Sequence, residues 1–523
     1  MKASNIQVSS TLPPRVQPIH LLCDRHSADE VAFTVIDANL DSVDLSYGLL
    51  KERSERAAAL FAARGIMPGD RVATLMSKSS ELVITLLGLW RLGAVHVPLF
   101  TAFATPAVEV RVAGGGAKLI VADDNQLQKL EPLDYPVLST SELGPLIDQQ
   151  PLGFTACERS LDDPLVEIFT SGTTGTPKGV PVPVRALEAF DIYFQYGLGV
   201  QEDDVFWNVA DPGWAYGLYY GILAPLYAGR RNLLLTAGFS AELCWEVLAK
   251  FGVTNFASAP TIVRSMRASH PQGVPGLKIK RASSAGEPLD APTIAWSESV
   301  LGVPVRDHYG QTEMGMCIVN GWDENIIDVI KPGSMGRPMP GYSASVLFED
   351  KDESAPAGTR GRVAIDIPGS PMMWFNGYSG DPSRTAARYS SDGRWYFTGD
   401  AGTIDEDGYI FFSSRDDDVI IMAGYRIGPF EVESVLAAHP DVLESAVIGV
   451  PDELRGEILV AYVVLRNGRS GSETLTEELQ QLVKTQYAAH AYPRRITYVE
   501  ELPKTPSGKL QRFVLRDAES LPK

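Results

Sequence analysis

Apolar and polar positions change period several times along this chain, and the changes divide it into blocks. From residue 46, YGLLKERSERAAALFAARGIMPGDRVATLM predicts an amphipathic helix, a glycine stop and then a strand. The alternation repeats, with LVITLLGLWRLGA as helix and AVHVPLF and AKLIVADD as strands. Runs rich in Val and Ile, separated by helical stretches, predict a mostly parallel sheet covered on both faces. The first twenty or so residues have paired prolines and no periodicity, and read as an extended arm.

After about Gly333 the pattern becomes short alternating strands with Gly, Pro and Asp turns, the signature of a β-barrel-like subdomain. Another change comes near Arg415. There GPFEVESVLAAHPDV reads as a helix, ESAVIGVPD and EILVAYVVLR as strands, and LTEELQQLVKTQY as a helix. That is an α+β unit of about a hundred residues, the size of a separate domain. The expected fold is α/β. A large N-terminal domain, residues 1–416, combines α/β sheet layers with the β-barrel-like subdomain. A small mobile α+β C-terminal domain, residues 417–523, follows.

At 523 residues the chain exceeds what one core can organise, in keeping with that division. A formal net charge of −19 opposes nucleic acid and anionic membranes, so any phosphate-bearing ligand would need local positive sites. Cys23, Cys157, Cys244 and Cys317 are scattered without metal-ligand spacing, which predicts reduced, mostly buried thiols. The N-terminal stretch lacks the apolar core of a secretory signal. The apolar run at 82–99 is interrupted by Gly88, Arg91 and Gly93, too soon to span a bilayer. A soluble, cytoplasmic protein with no nucleic-acid partner and no membrane insertion is expected.

The strongest local signal is IFTSGTTGTPKG, residues 168–179. Glycines let backbone N–H groups approach an anion, hydroxyls add donors and Lys178 adds a point charge, which suits a triphosphate or pyrophosphate. The spacing from Gly172 to Lys178 is not that of a Walker A loop, and a polar surface loop shares this composition. DHYGQTEMG, residues 307–315, offers an aromatic beside a glycine, a hydroxyl and a carboxylate able to hold Mg²⁺. WYFTGD, residues 395–400, ends an apolar strand on an Asp that could accept from ribose hydroxyls. SRDDDVIIMAGYRIG (414–428) and PKTPSGKLQR (503–512) complete the set, the second presenting Lys509 on a glycine turn. Each of the last two alone reads as a solvated turn.

In this order the blocks, from about Ser46 to Arg516, resemble the acyl-adenylate-forming superfamily of acyl-CoA synthetases, luciferases and peptide-synthetase adenylation domains. GYRIGPFEVESVLAAHPDVLESAVIGVPD and YPRRITYVEELPKTPSGKLQR look most like the medium-chain acyl-CoA synthetases, with the acetyl-CoA synthetases next. The resemblance implies ATP and Mg²⁺ as cofactors, coenzyme A as co-substrate and an AMP-forming acid–thiol ligase. It implies that Thr170, Ser171, Gly172, Thr173, Thr174, Gly175 and Lys178 hold the β- and γ-phosphates. Gly286, Glu287, Pro288, Asp307 and Tyr309 would form the adenine pocket, with Gln311 beside it. Thr312 would meet the α-phosphate, Glu313 the metal, Asp400 and Arg415 the ribose, and Arg426 a nucleotide phosphate. Lys509 would bridge the attacking carboxylate and the α-phosphate, offsetting the charge that grows in the transition state. Asp417 matches the hinge about which the small domain swings, bringing either Lys509 or the CoA tunnel of Ala423, Gly424 and Tyr425 to the site.

By the same resemblance Trp214, Ala215, Tyr216 and Gly310 line the acyl pocket. Acetyl-CoA synthetases carry a Trp at the last position, so Gly310 implies a deeper pocket for a medium-chain, branched or aromatic monocarboxylate. The competing readings are a stand-alone adenylation enzyme loading a carrier protein, a luciferase-like oxygenase and a non-catalytic relative. Retention of Lys509, Thr312, Glu313 and Asp400 argues against the last. There is no Gly-x-Ser-x-Gly elbow and no Gly-x-Gly-x-x-Gly fingerprint. Lys509, on its exposed turn, is also a candidate for a lysine acetylation enzyme that would remove its charge.

Overall fold

A computed structural model describes residue 6 and residues 8–170, 177–415, 418, 420–422, 425–452, 456–466, 468–488, 491–504 and 510–520. The predicted helix–glycine–strand alternation begins at helix Tyr47–Ala63, where Ser46 accepts a hydrogen bond from the Leu49 amide. Ser79 caps helix Ser80–Leu92 in the same way, and Gly93 ends it in the left-handed conformation. This second helix is apolar nearly all round because it is buried on nearly all sides.

Strands from this region form a six-stranded sheet in the order Lys178–Pro183, Pro164–Thr170, Val95–Pro98, Arg71–Leu75, Leu119–Ala122, Val137–Ser139. All neighbours are parallel except the first two, which make a hairpin. A thirteen-stranded sheet forms the other layer. Its parallel part runs from Val305–Gln311 through Arg281–Ala285, Asn255–Ser258, Phe206–Asn208 and Asn232–Leu235 to Val31–Ile36. Beyond Val305–Gln311 the strands become antiparallel. The short strands expected after Gly333 are there, and Ser334–Pro338 joins them to the main sheet by pairing with both Gly315–Val319 and Ile410–Arg415.

The C-terminal part has its own sheet, Tyr425–Ile427, Ile420–Met422, Gly456–Leu465 and Val442–Asp452, with Arg495–Val499 parallel to Gly456–Leu465. Leu436, Val447, Ala461, Leu479 and Val483 are fully buried in a separate core beneath helices Pro429–Leu436 and Glu473–Gln486. Helix Arg512–Ser520 sets Leu515 against Ile448 and Val460 on the opposite face of the sheet.

The N-terminal arm is stitched down. Arg15–Val16 pairs with Arg159–Ser160, and Ser10 Oγ and the Thr11 amide donate to Glu188. The four cysteines are free, three buried and Cys157 partly so. Among the described residues no helix is long and apolar enough to cross a membrane.

Candidate active site

Two strands of the large sheet bring part of the predicted nucleotide side together. Val305–Gln311 carries Tyr309 and Gln311, and Trp395–Ile404 carries Asp400. Tyr309 Oη donates to Asp400 Oδ2 at 2.5 Å. Gln311 Nε2 donates to that same oxygen at 2.8 Å and to the Thr398 carbonyl at 2.8 Å. Tyr396 Oη in turn donates to Gln311 Oε1 at 3.2 Å. Burial, and then the Asp400 charge, push the Tyr309 hydroxyl well above its ordinary pKa, so it remains a donor. Arg415 stands opposite Asp400 in the antiparallel register, which makes these two predicted ribose ligands neighbours.

The same register logic places the phosphate loop. Thr170 and Lys178 face each other across the hairpin that frames it, while Ser171, Gly172, Thr173, Thr174 and Gly175 lie outside the described residues. The Lys178 ammonium stands 5.1 Å from the centre of the Tyr378 ring. Tyr378 Oη donates to Glu313 Oε1 at 2.8 Å and accepts from Arg388 Nε at 3.0 Å. Arg388 Nη1 also reaches the carbonyls of Phe397 and Thr398, at 3.3 and 3.2 Å. Tyr378 and Arg388 were not anticipated. Their signal lies in NGYSGDPSRTAARY, where an aromatic in a glycine turn precedes a helix capped by Asp381. Thr312 sits in the turn after Gln311, where its carbonyl accepts from Tyr219 Oη at 3.0 Å.

Gly286, Glu287 and Pro288 follow the end of strand Arg281–Ala285. Glu287 accepts from the Thr261 amide and from Arg264 Nη2, each at 2.8 Å, which ties this loop to helix Pro260–Ser269. Asp307 Oδ2 accepts from the Leu289 amide at 3.4 Å, and burial pushes its carboxyl well above the usual carboxylate range.

On the acyl side, the loop 211–217 curls so tightly that a Cβ at Gly217 would lie 2.2 Å from the Asp211 carbonyl oxygen. Within it the expected pocket residues part company. Trp214 packs on Phe100 and Phe103, with centroids at 5.3 and 5.5 Å, in the core of the six-stranded sheet. Tyr216 instead packs on Tyr220 and places its hydroxyl 3.1 Å from that of Tyr193. Ala215, at the first position of helix Ala215–Leu218, is partly exposed. Gly310 has a backbone reason to be glycine. At the bulge between Tyr309 and Gly310, a Cβ would lie 2.1 Å from the Gly315 carbonyl oxygen and 2.6 Å from Met316 Cα.

Lys509, Asp417, Ala423 and Gly424 lie outside the described residues. The stems of the Lys509 turn are described, with Lys504 bridged to Leu510 and the Gln511 amide donating to the Pro503 carbonyl at 2.9 Å. Just beyond, Arg512 Nη2 donates to both oxygens of Glu433, at 2.7 and 2.6 Å, and Nη1 lies 3.5 Å from Asp418 Oδ2. Tyr425 and Arg426 pair with Met422 and Ile421 in the strand register.

The AMP-binding enzyme family model matches residues 23–378, and that of the AMP-binding enzyme C-terminal domain matches residues 431–509. The acetyl-coenzyme A synthetase of Bacillus subtilis (strain 168) is 36% identical over 522 residues, covering 94% of this chain and 89% of that protein. The human mitochondrial acyl-coenzyme A synthetase ACSM4 is 34% identical, covering 92% of this chain and 85% of that protein. The crystal structure of Brucella canis acyl-CoA synthetase superposes with a TM-score of 0.77 at 40% identity, over 99% of this chain and 98% of that one. The chain belongs to the AMP-binding enzyme family and stands among its acyl-CoA synthetases, which are acid–thiol ligases.

Proposed function

We propose that this enzyme converts a medium-chain, branched or aromatic monocarboxylate into its coenzyme A thioester in two steps. The carboxylate oxygen attacks the α-phosphorus of ATP, the bond to the β-phosphate breaks and pyrophosphate leaves. The coenzyme A thiol, losing its proton, then attacks the acyl carbon, and AMP leaves. The observation that carries the reading is the shared Asp400 oxygen, held by Tyr309 and Gln311 and linked through Thr398, Arg388 and Tyr378 to Lys178 of the hairpin that frames the phosphate loop. Binding groups fixed in advance lower the entropic cost of orienting a flexible nucleotide.

In this reading Tyr309 flanks the adenine, Asp400 and Arg415 take the ribose, and Arg426 a nucleotide phosphate. Thr170, the 171–175 loop and Lys178 take the β- and γ-phosphates, and Thr312 the α-phosphate. Lys509 supplies the cation at the reacting centre, Asp417 is the hinge between domains 1–416 and 417–523, and Ala423, Gly424 and Tyr425 line the pantetheine path. Glu313 suits Mg²⁺, because a single carboxylate plus substrate phosphates is the usual way this ion is held. Its Oε1 is already oriented by Tyr378, and Lys178 stands over that ring. Bound there, the metal supplies charge neutralisation for the phosphates. A cytoplasmic setting and acetylation of Lys509 as an off-switch complete the proposal.

The test is turnover with ATP, Mg²⁺ and a panel of carboxylic acids, with and without coenzyme A, measuring AMP and thioester. Coenzyme A-dependent thioester formation on one acid class is the expected result. Adenylate formation without transfer on any acid would point to a carrier-protein acceptor and remove the second step.

A further inference from the structure

His308 is 2% exposed, and burial lowers its pKa to about 3, so its ring is neutral at working pH. Its Nε2 lies 3.2 Å from the Asn320 carbonyl oxygen, which can only accept. Nε2 therefore carries the ring proton, and Nδ1 is bare. Tyr193 Oη lies 2.7 Å from Nδ1 and must donate to it. With its one proton committed, Tyr193 can only accept from the Tyr216 hydroxyl, 3.1 Å away. Tyr216 must then donate inward, which leaves its oxygen only lone pairs to offer a ligand.

The chain runs from the interior to a partly open surface. Asn320, His308 and Tyr193 are buried, whereas Tyr216 keeps accessible surface. The Tyr193 and Tyr220 rings flank Tyr216, with centroids at 6.5 and 5.4 Å, and limit its freedom to turn away. A tyrosine hydroxyl ordinarily adapts as donor or acceptor, but this one is set by a tautomer two residues behind it.

We propose that the Tyr216 hydroxyl is a fixed hydrogen-bond acceptor in the acyl pocket, selecting acids that carry a hydroxyl or amino donor over their unsubstituted and ether counterparts. The inference rests on the reading of loop 211–217 as an acyl-pocket wall. An ether oxygen at that place would meet lone pairs with lone pairs, and an unsubstituted acid would leave the tyrosine oxygen without a partner. One net hydrogen bond between neutral groups corresponds to roughly a two- to tenfold preference.

The experiment measures kcat/KM for thioester formation on matched sets: benzoate with its three hydroxy and three methoxy isomers, and hexanoate with its 5- and 6-hydroxy and methoxy forms. In the wild type at least one hydroxy isomer should exceed both its methoxy and its unsubstituted counterpart about fivefold. Tyr216→Phe should collapse that ratio to near one. Tyr193→Phe frees the Tyr216 proton, so the methoxy isomer should gain on the hydroxy isomer, a change of sign that loss of packing alone would not produce. Absence of any hydroxy preference in the wild type, or a ratio unmoved by Tyr216→Phe, overturns the proposal whether or not the Tyr193 variant folds. Absence of thioester on every acid would instead overturn the ligase reading beneath it.

Discussion

The strand-borne wall around Asp400 and the C-terminal unit that carries Lys509 are held together by different forces. In the wall, side chains from separate strands and from the turns beside them are bound to one another: Tyr309 and Gln311 to Asp400, Tyr378 and Arg388 behind Glu313. Such a network holds its shape before any ligand arrives. The C-terminal unit has a small apolar core of its own, including Leu436, Val447, Leu479 and Val483. Ion pairs secure its last helix, Arg512 to Glu433 and Asp418, and Arg516 to Asp418. An independent core can move as a body, while a cross-strand network cannot. The difference suits a reaction in which a polyanion must be held still while a cation is delivered and then withdrawn.

The sharpest way to break the comparison is to remove the delivered charge. Lys509→Ala should lower adenylate formation by about 10²–10³-fold, the usual scale for one electrostatic group acting on developing charge. Thioester formation from a preformed acyl-adenylate should be nearly unchanged. Rapid-quench measurement of each half-reaction checks this, and equal loss in both would mean the unit does not alternate. Removing the wall's common acceptor should act differently. Asp400→Ala takes the proposed ribose acceptor away and leaves the Tyr309 and Gln311 donors without it, so KM for ATP should rise about 10–100-fold, with a lower Tm. Both half-reactions should suffer, because both hold a nucleotide.

Arg512→Met tests the border of the C-terminal unit. It leaves Glu433 and Asp418 without this partner, at a cost of about 2 kcal/mol for partly buried charges. Thermal unfolding should show a lower-temperature transition for the C-terminal unit while ATP binding stays intact. Tyr378→Phe is milder still. It removes the hydroxyl that orients Glu313, the proposed Mg²⁺ ligand, and the Mg²⁺ concentration needed for half-maximal rate should rise about tenfold.

Much of this wall was legible in the chain because its chemistry is local. The strands that flank the Gly/Thr loop are announced by the apolar runs on either side of it; Asp400, read as ending its strand, instead lies within Trp395–Ile404, and the hairpin register sets it opposite Arg415. Tyr378 and Arg388 were not legible, because Tyr378 reaches Glu313 across a separation of 65 residues, with Arg388 donating to its hydroxyl, and only the folded sheet brings them there. Trp214 and Tyr216 were read as one lining. At the start of a helix, residues two apart point to different sides, and here they enter different cores. Gly310 was read for what it lacks toward a ligand, whereas a side chain there would meet its own hairpin. Local alternation announced the strands after Gly333 but not that Ser334–Pro338 splices them into the main sheet, since pairing is a long-range fact.

The smallest effect concerns pH, and it separates the two regions once more. His96 and His308 are both buried in the large domain, and burial depresses each pKa from 6.5 to about 3. In the unfolded chain these rings take up protons near pH 6.5, and in the folded protein they do not. The stability they contribute is therefore complete above pH 6.5 and is lost progressively as pH falls toward 3. Between pH 7 and 5.5 the loss is about 1 kcal/mol for each ring. Buried carboxyls such as Asp191, pushed up to about 6 by burial, titrate in this interval in both proteins, so the difference between His96→Gln and wild type in thermal melts isolates the imidazole contribution. His96 Nε2 touches Thr74 Oγ1 at 2.8 Å, so the variant loses some stability at every pH, and the expected result is a flatter slope beneath a lower Tm. The slope should flatten for the large domain's transition alone, because His96 lies in a strand of that domain's six-stranded sheet. An unchanged slope in the variant would mean that the His96 ring is already protonated in the folded protein.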